Sequence, residues 1–288
     1  MCNYLFVYGT LLEGEGNHGL LHHARPIAKQ AKTKGKLYDT KQGYPMLDID
    51  SEHIVYGEVY EVTDQLMWKA LDELEGYIHE GHKDNEYDKV VQTVETDQGE
   101  FEAVVYVASD RSLLHEFIPS GNWRVWKEDL LEGMLYFAYG SCMDNDRFIK
   151  HGVDQHFQDC LGRAVFKGYT LRYNHVIHDG GRADMVEEGG VVEGKLYRVP
   201  PEAITYLYGR EGVDNNGYRP AIISVEHEGK MVDHVLTFFV LNKEKEVAPP
   251  DHYSTEIIRG ATGVLSEEYV QKLIEQVHAL KNSDVVNN

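Results

Sequence analysis

The chain has 288 residues, length enough for two domains of ordinary size, each able to bury its own core. With 42% hydrophobic and 26% charged residues, and 27 Gly against 8 Pro, it is globular rather than disordered or fibrous. A formal net charge of −20 argues against nucleic acid or an anionic membrane surface as partner, since both need a basic footprint.

Cys2, Cys142 and Cys160 have no C-x-x-C spacing, which speaks against a disulfide framework or a zinc cage and suits a reducing compartment. The start, MCNYLFVYGT, has no basic segment ahead of an apolar one, and no run of 18 apolar residues occurs. The expectation is a cytoplasmic protein without a membrane span.

In chain order, an apolar strand over Leu5 to Tyr8 ends in a Y-G-T turn. Directly after it, Gly14-Glu15-Gly16-Asn17-His18-Gly19 spells G-x-G-x-x-G, and Asp39 lies about 20 residues on, as a dinucleotide fingerprint would ask. Yet KGKLYDT and GYPMLDI read as two strands with a turn between them, and the crossover helix of such a unit is missing. The glycine run therefore reads as a surface turn. VYGEVYEV (Val55 to Val62) alternates as a strand does, and DQLMWKALDELE predicts a helix with Leu66, Met67, Ala70, Leu71 and Leu74 on one face. Two long strands around a polar turn, VVQTVETDQGEFEAVVYV, close the first half, and the boundary is expected near Gly133. Domains of residues 1–133 and 134–288 follow.

The second half repeats the first. NYLFVYGTLL returns as MLYFAYGSCM, VYGEVYEV as VEGKLYRV, LDELEGY as LYGREGV, and EYDKVVQTVE as GYRPAIISVE. The offsets are 131 for Tyr8 to Tyr139, 137 for Gly57 to Gly194, 136 for Glu75 to Glu211 and 131 for Tyr87 to Tyr218. One order at nearly one offset marks a duplicated domain, not a solenoid. The second copy keeps Tyr139-Gly140-Ser141 but has no glycine-rich continuation, so whatever both halves do does not need G-x-G-x-x-G. Pro200-Pro201 suit the start of its helix EAITYLYGRE, and a last amphipathic helix carries Val270, Leu273, Ile274 and Val277 with Ser266 as its N-cap.

In both copies the helix ends in Glu then Gly, Glu75-Gly76 and Glu211-Gly212. The glycine suits a left-handed position after the helix. The glutamate faces the negative end of the helix dipole, at a cost of roughly 0.3–1 kcal/mol. That suits a carboxylate whose pKa should rise toward a working base; a solvated Glu repeated through duplication is the alternative. His18 with His22, and His79 with His82 beside Glu80, do not recur in the second copy, and they read as partly exposed side chains rather than metal ligands.

VYGTLLEGEGNH, VYGEVYEV, LDELEGY, YDKVV and EAVVYV, in that order, resemble the AIG2-like and γ-glutamylamine cyclotransferase group. LYFAYGSCMDNDRF, GYTLRYNH, GGVVEGKLYRV, REGVDNNGYRP and APPDHYSTEIIRGATGVLSEEYVQKL resemble the γ-glutamylcyclotransferases that act on glutathione-type substrates. The resemblance spans nearly the whole chain. It implies an α+β fold of two tandem mixed β-barrels with flanking helices, a small-molecule γ-glutamyl substrate, no metal and no cofactor. It also implies a first site of Tyr8, Gly9, Thr10, Leu11 and Glu75 with Tyr87 and Tyr106 as hydroxyl contacts. The second is Tyr139, Gly140, Ser141, Cys142 and Glu211 with Tyr218. Glu75 and Glu211 take the role of general base. Two departures mark the second site: Cys142 stands where the glutathione-type loop usually has Asn, and Phe239 where a substrate-binding Tyr is expected.

These residue types suit that chemistry. A γ-glutamyl amide carries its own nucleophile, the α-amine, and its attack on the γ-carbonyl closes a five-membered ring, 5-oxoproline. The carboxylate takes the ammonium proton and can return it to the leaving amine. Main-chain N–H groups of the Y-G-[TS] turn suit the α-carboxylate, and Gly allows close approach. The phenols of Tyr87 and Tyr106 can donate hydrogen bonds without adding charge. Cys142 could instead be a nucleophile, or a small residue filling its loop. The competing functional reading is a binding or regulatory protein that keeps the pocket and has lost turnover in one or both halves.

Overall fold

The computed structural model describes residues 2–128, 130 and 132–286. It divides into two compact units, Met1–Lys127 and Glu128–Asn288. The first unit contains β1 (Tyr4–Val7), β2 (Arg25–Lys34), β3 (Lys36–Asp39), β4 (Pro45–Asp48), β5 (Ile54–Glu61), α1 (Gln65–Leu74), β6 (Tyr87–Thr96), β7 (Gly99–Ala108), β8 (Glu116–Phe117) and α2 (Trp123–Lys127). The second contains β9 (Met134–Ala138), α3 (Asn145–His151), β10 (Cys160–Lys167), β11 (Thr170–Ile177), β12 (Gly180–Val186), β13 (Val191–Val199), α4 (Pro201–Arg210), β14 (Tyr218–His227), β15 (Lys230–Val240), α5 (Asp251–Ala261) and α6 (Glu267–Val286).

Each unit is built on a closed mixed barrel of five strands, in the order β1-β5-β2-β6-β7 and β9-β13-β10-β14-β15. Matching the repeated motifs strand by strand turns one order into the other. In each barrel the first strand pairs antiparallel with the strand of the V-x-G-x-[VL]-Y motif and parallel with the last strand. Closure gives every barrel strand a paired neighbour on both sides.

The motif glycine is explained by that pairing. A Cβ on Gly57 would overlap the Val7 carbonyl and lie 2.8 Å from the Phe6 ring; on Gly194 it would overlap the Ala138 carbonyl and lie 2.7 Å from the Phe137 ring. Phe6 and Phe137, equivalent and fully buried, lie over these glycines inside their barrels.

Helix α1 begins at Asp64, whose side chain accepts from Leu66 N, and buries Met67 and Leu71. Leu66, expected on that face, is 76% exposed: it sits one helical step off the stripe that Met67 and Leu71 define. Pro201 opens α4 at its first turn. Ser266 caps α6, its hydroxyl accepting from Tyr269 N at 3.2 Å, and the helix buries Tyr269, Leu273 and Val277 with Val270 and Ile274 at the margin. No helix among the described residues is long and apolar enough to cross a membrane.

Candidate active site

Where β1 leaves the first barrel, the chain turns through Tyr8–Leu12. The Tyr8 hydroxyl fixes this turn: it donates to the Tyr106 carbonyl at 2.6 Å and accepts from Leu47 N at 3.2 Å. Gly9 is tight against β4, since a Cβ there would lie 2.8 Å from the Pro45 ring. The main-chain N–H groups of Gly9, Thr10 and Leu11 have no acceptor among the described residues. Three such donors in succession are what an anionic group needs.

These residues line a cavity of about 240 Å³ together with Glu75, Tyr87 and Tyr106, so every site residue expected in the first half meets in one place. Glu75 is the C-cap of α1, its N–H donating to the Leu71 carbonyl at 2.9 Å, and Gly76 beyond it takes φ +60°. Burial, then the neighbouring Glu86 carboxylate, pushes the Glu75 carboxyl up to about 8. A carboxyl raised this far gains and loses its proton near neutral pH, the range in which an acid–base group works.

The donor role expected of Tyr87 and Tyr106 needs correction here. The Tyr87 hydroxyl donates to the Pro45 carbonyl at 2.9 Å and that of Tyr106 to Asp72 Oδ1 at 2.6 Å. Their protons are therefore committed inside the protein, and toward a ligand these phenols are acceptors. The glycine run is a surface turn at Gly14, Gly16 and Gly19, where added Cβ atoms would meet nothing, yet it supplies Asn17 to the cavity. Asn17 Nδ2 donates to Thr10 Oγ1 at 3.0 Å. Tyr44 and Glu86, joined by a 2.7 Å hydrogen bond from the phenol, also line the wall and were not foreseen.

The second cavity, about 340 Å³, is lined by Tyr139, Gly140, Ser141, Cys142, Glu211 and Tyr218, again all the expected residues. The Tyr139 hydroxyl donates to the Phe238 carbonyl at 2.6 Å, and that of Tyr218 to the Ala183 carbonyl at 2.7 Å. These bonds duplicate those of Tyr8 and Tyr87. They make Phe238, not Phe239, the counterpart of Tyr106. Phe239 points to the opposite side of β15 and packs on Tyr169 and Phe166. A β-bulge between β14 and β15, where His234 takes φ +58°, adds a residue to the count along the strand, and one residue exchanges the two faces.

Glu211 is the C-cap of α4, followed by Gly212 at φ +62°. Burial raises its pKa, while the Arg210 charge and the Cys142 thiol, which donates to Glu211 Oε1 at 3.6 Å, pull it back. Burial also pushes the Cys142 thiol up to about 12, which keeps it protonated and a poor nucleophile. Arg182, Arg210, His175 and Tyr253 complete the wall and were not read from the sequence. Arg210 was findable, since it adjoins the repeated Glu; Tyr253 stands on α5, which has no counterpart in the first half. Among the described residues no group of three His, Cys, Asp or Glu side chains is arranged to hold a metal ion.

The family model for gamma-glutamyl cyclotransferase, AIG2-like, matches residues 5–125, and the AIG2-like family model matches residues 191–273. A Bacillus subtilis protein named "Putative gamma-glutamylcyclotransferase YkqA" is 46% identical over 285 residues, covering 97% of this chain and 99% of its own. The crystal structure of YkqA superposes with a TM-score of 0.84 at 45% identity, over 97% of this chain and 99% of that one. The gamma-L-glutamyl-butirosin B gamma-glutamyl cyclotransferase of Niallia circulans is 43% identical over 86 residues, 30% of this chain and 54% of that protein.

Proposed function

The chain belongs to the gamma-glutamyl cyclotransferase, AIG2-like family, and on that footing we propose that it cyclises the γ-glutamyl group of γ-glutamyl amines or peptides to 5-oxoproline, releasing the amine. One observation carries this reading: twice in the chain, a buried glutamate of raised pKa ends a helix in the same cavity as a Y-G-[TS] turn, and in the first half that turn offers three N–H groups without a partner among the described residues.

The turn N–H groups hold the α-carboxylate, which brings the α-ammonium toward the glutamate. The carboxylate takes a proton, and the freed amine attacks the γ-carbonyl carbon, forming the lactam C–N bond. The amide C–N bond then breaks. Two protons leave the attacking nitrogen by way of the carboxylate, and the leaving nitrogen takes both and departs as an ammonium ion. Water does not enter the balance. Because the nucleophile is tethered, holding the chain curled supplies much of the rate, with effective molarities on the order of 10⁵ M or more. In the first site the phenol oxygens of Tyr87 and Tyr106, whose protons are engaged elsewhere, serve as acceptors for the ammonium.

The first site is the more complete of the two, and a second reading holds for the other half: a pocket that binds γ-glutamyl compounds and turns them over weakly. It is favoured by the Arg210 charge and the Cys142 thiol, which oppose the larger effect of burial on the Glu211 carboxylate and have no counterpart at Glu75.

The test is 5-oxoproline release from γ-glutamyl-alanine, γ-glutamyl-lysine and glutathione, using the intact chain and its Glu75→Gln, Glu211→Gln double variant. Release from at least one compound, abolished in the double variant, is expected. Release that survives the double variant overturns the role given to the glutamates.

A further inference from the structure

The Tyr106 phenol does not stand alone in the wall of the first cavity. Its proton goes to Asp72 Oδ1 at 2.6 Å, and the Lys89 ammonium reaches the same oxygen at 2.5 Å. Lys89 in turn lies among three rings, 4.5 Å from the centre of Tyr77, 5.6 Å from Trp68 and 5.7 Å from Tyr106. It is the cross-strand neighbour of Tyr106 in the β6–β7 pair, while Asp72 stands on the last turn of α1, ahead of Glu75. Neither Asp72 nor Lys89 lines the cavity, so what they do there they do through Tyr106.

The second half replaces the whole array. Phe238 takes the place of Tyr106, and its cross-strand neighbour is Pro220 where the first half has Lys89. Tyr208 precedes Glu211 as Asp72 precedes Glu75, and it packs its ring edge-on against Phe238 at 5.7 Å. Ile204 and Val213 stand where Trp68 and Tyr77 do. Asp72, Lys89 and the rings around them change together with one hydroxyl. That ties the ion pair to the hydroxyl rather than to the joint of helix and barrel, which the second half makes from two rings. A phenol has one proton to give and lone pairs to accept with. With Asp72 holding the proton, the oxygen offers only lone pairs to the cavity. Burial and the bond to Asp72 keep the phenol protonated, so it brings no charge beside Glu75. Without Asp72 the proton would be free to swing toward Glu75, or toward an ammonium that has only donors of its own.

We infer that Asp72, anchored by Lys89, is a positioning residue of the first site: it takes the Tyr106 proton and so fixes the phenol as an acceptor for the α-ammonium of the γ-glutamyl group. The inference rests on the cyclisation reading only for the identity of that ammonium.

The experiment compares two ligands in the Glu211→Gln protein, where 5-oxoproline release reports the first site. One is γ-glutamyl-alanine, as substrate; the other is N-glutaryl-alanine, the same molecule without its α-amine, as competitive inhibitor. Asp72→Leu is expected to raise KM for γ-glutamyl-alanine about tenfold, the scale of a hydrogen bond to a charged group, and to leave the inhibition constant of N-glutaryl-alanine within about twofold. A merely structural role would move both. Tyr106→Phe raises KM to a similar degree, and Asp72→Leu added to it raises KM no further, because Asp72 acts through the phenol. Asp72→Asn keeps most of the native KM: with Lys89 and Tyr106 both donating to that position, the amide presents its oxygen. An unchanged KM in Asp72→Leu, an inhibition constant that rises with KM, or additive losses in the double variant overturns the inference. If the Glu211→Gln protein releases no 5-oxoproline, calorimetric titration of both compounds into the Glu75→Gln, Glu211→Gln protein, with and without Asp72→Leu, decides. A preference for the compound bearing the ammonium that falls with Asp72→Leu upholds the positioning role and removes cyclisation from the first half; an unchanged preference, or none, removes the inference.

Discussion

The two halves share their barrel order and their glutamate, yet their cavities have different chemistry, and the division follows hydrogen bonding. Side chains bonded to main chain are the same in both: Tyr8 and Tyr139 hold the last barrel strand, Tyr87 and Tyr218 hold the far wall. A buried phenol that lost its carbonyl partner would leave that carbonyl unpaired, so these positions tolerate little. Where the first half bonds side chain to side chain, as Tyr44 to Glu86 and Tyr106 to Asp72, the second has Arg182, Gly217 and Phe238. Such partners can change together without disturbing the barrel. The duplicated frame thus keeps the cradle for a common group and leaves the opposite wall free to diverge.

The largest expected effect separates the two bases. Glu75→Gln and Glu211→Gln keep size and shape but cannot accept a proton, and losing a general base costs roughly 10²–10⁴-fold. On the best small γ-glutamyl substrate, Glu75→Gln is expected to remove most 5-oxoproline release and Glu211→Gln less. The opposite ranking would reverse the assignment of the stronger half.

Next is the frame itself. Gly57→Ala and Gly194→Ala each drive a methyl into a carbonyl oxygen and a buried phenylalanine ring. Overpacking of this kind costs about 1–3 kcal/mol or more, read as a lower denaturation midpoint for either variant. If Gly194→Ala is neutral while Gly57→Ala is not, the equivalence of the two barrels fails at the closure itself.

How much of this was legible in the sequence follows the same division. The order YGT, VYGEVYEV, LDELEGY, EYDKVV and its return are short-range features fixed by barrel closure, so self-comparison finds them. Glu75 and Glu211 stood out because a carboxylate at a helix C-terminus contradicts the local electrostatics. Tyr44 and Arg182 were silent because they lie between the repeated segments, and Glu86, which opens the repeated EYDKVVQTVE, was passed over because its counterpart is Gly217. Counting at the offset of 131 puts Thr237 opposite Tyr106 and the resemblance put Phe239 there; the one residue that the β15 bulge adds makes it Phe238, and neither sequence reading shows that bulge.

A third, smaller effect sharpens the contrast in charge. The Glu86 carboxylate helps raise Glu75, so Glu86→Gln lets Glu75 ionise at lower pH. The base is active when ionised, so the acid limb of kcat/KM for the first site moves to lower pH. Measured in the Glu211→Gln background, an acid limb that stays or moves up would remove Glu86 from the environment of the base.

The smallest effect concerns the sulfur. Cys142 occupies the position of Leu11, and its thiol donates to Glu211 while its own proton is held up to a pKa of about 12. As a donor it stabilises the ionised glutamate; as a nucleophile it would need the thiolate that burial suppresses. Cys142→Ala removes the donor, so Glu211 should ionise at higher pH and the acid limb of the second site, read in the Glu75→Gln protein, should rise. Turnover at high pH should change by no more than a few-fold, the scale of a neutral hydrogen bond worth about 0.5–1.5 kcal/mol. Alkylation supplies an independent reading: exposed Cys160 should react with iodoacetamide well before buried Cys142. If Cys142→Ala abolishes turnover at every pH, or if Cys142 is alkylated first, the sulfur takes part in the chemistry and the second half works by a different route from the first.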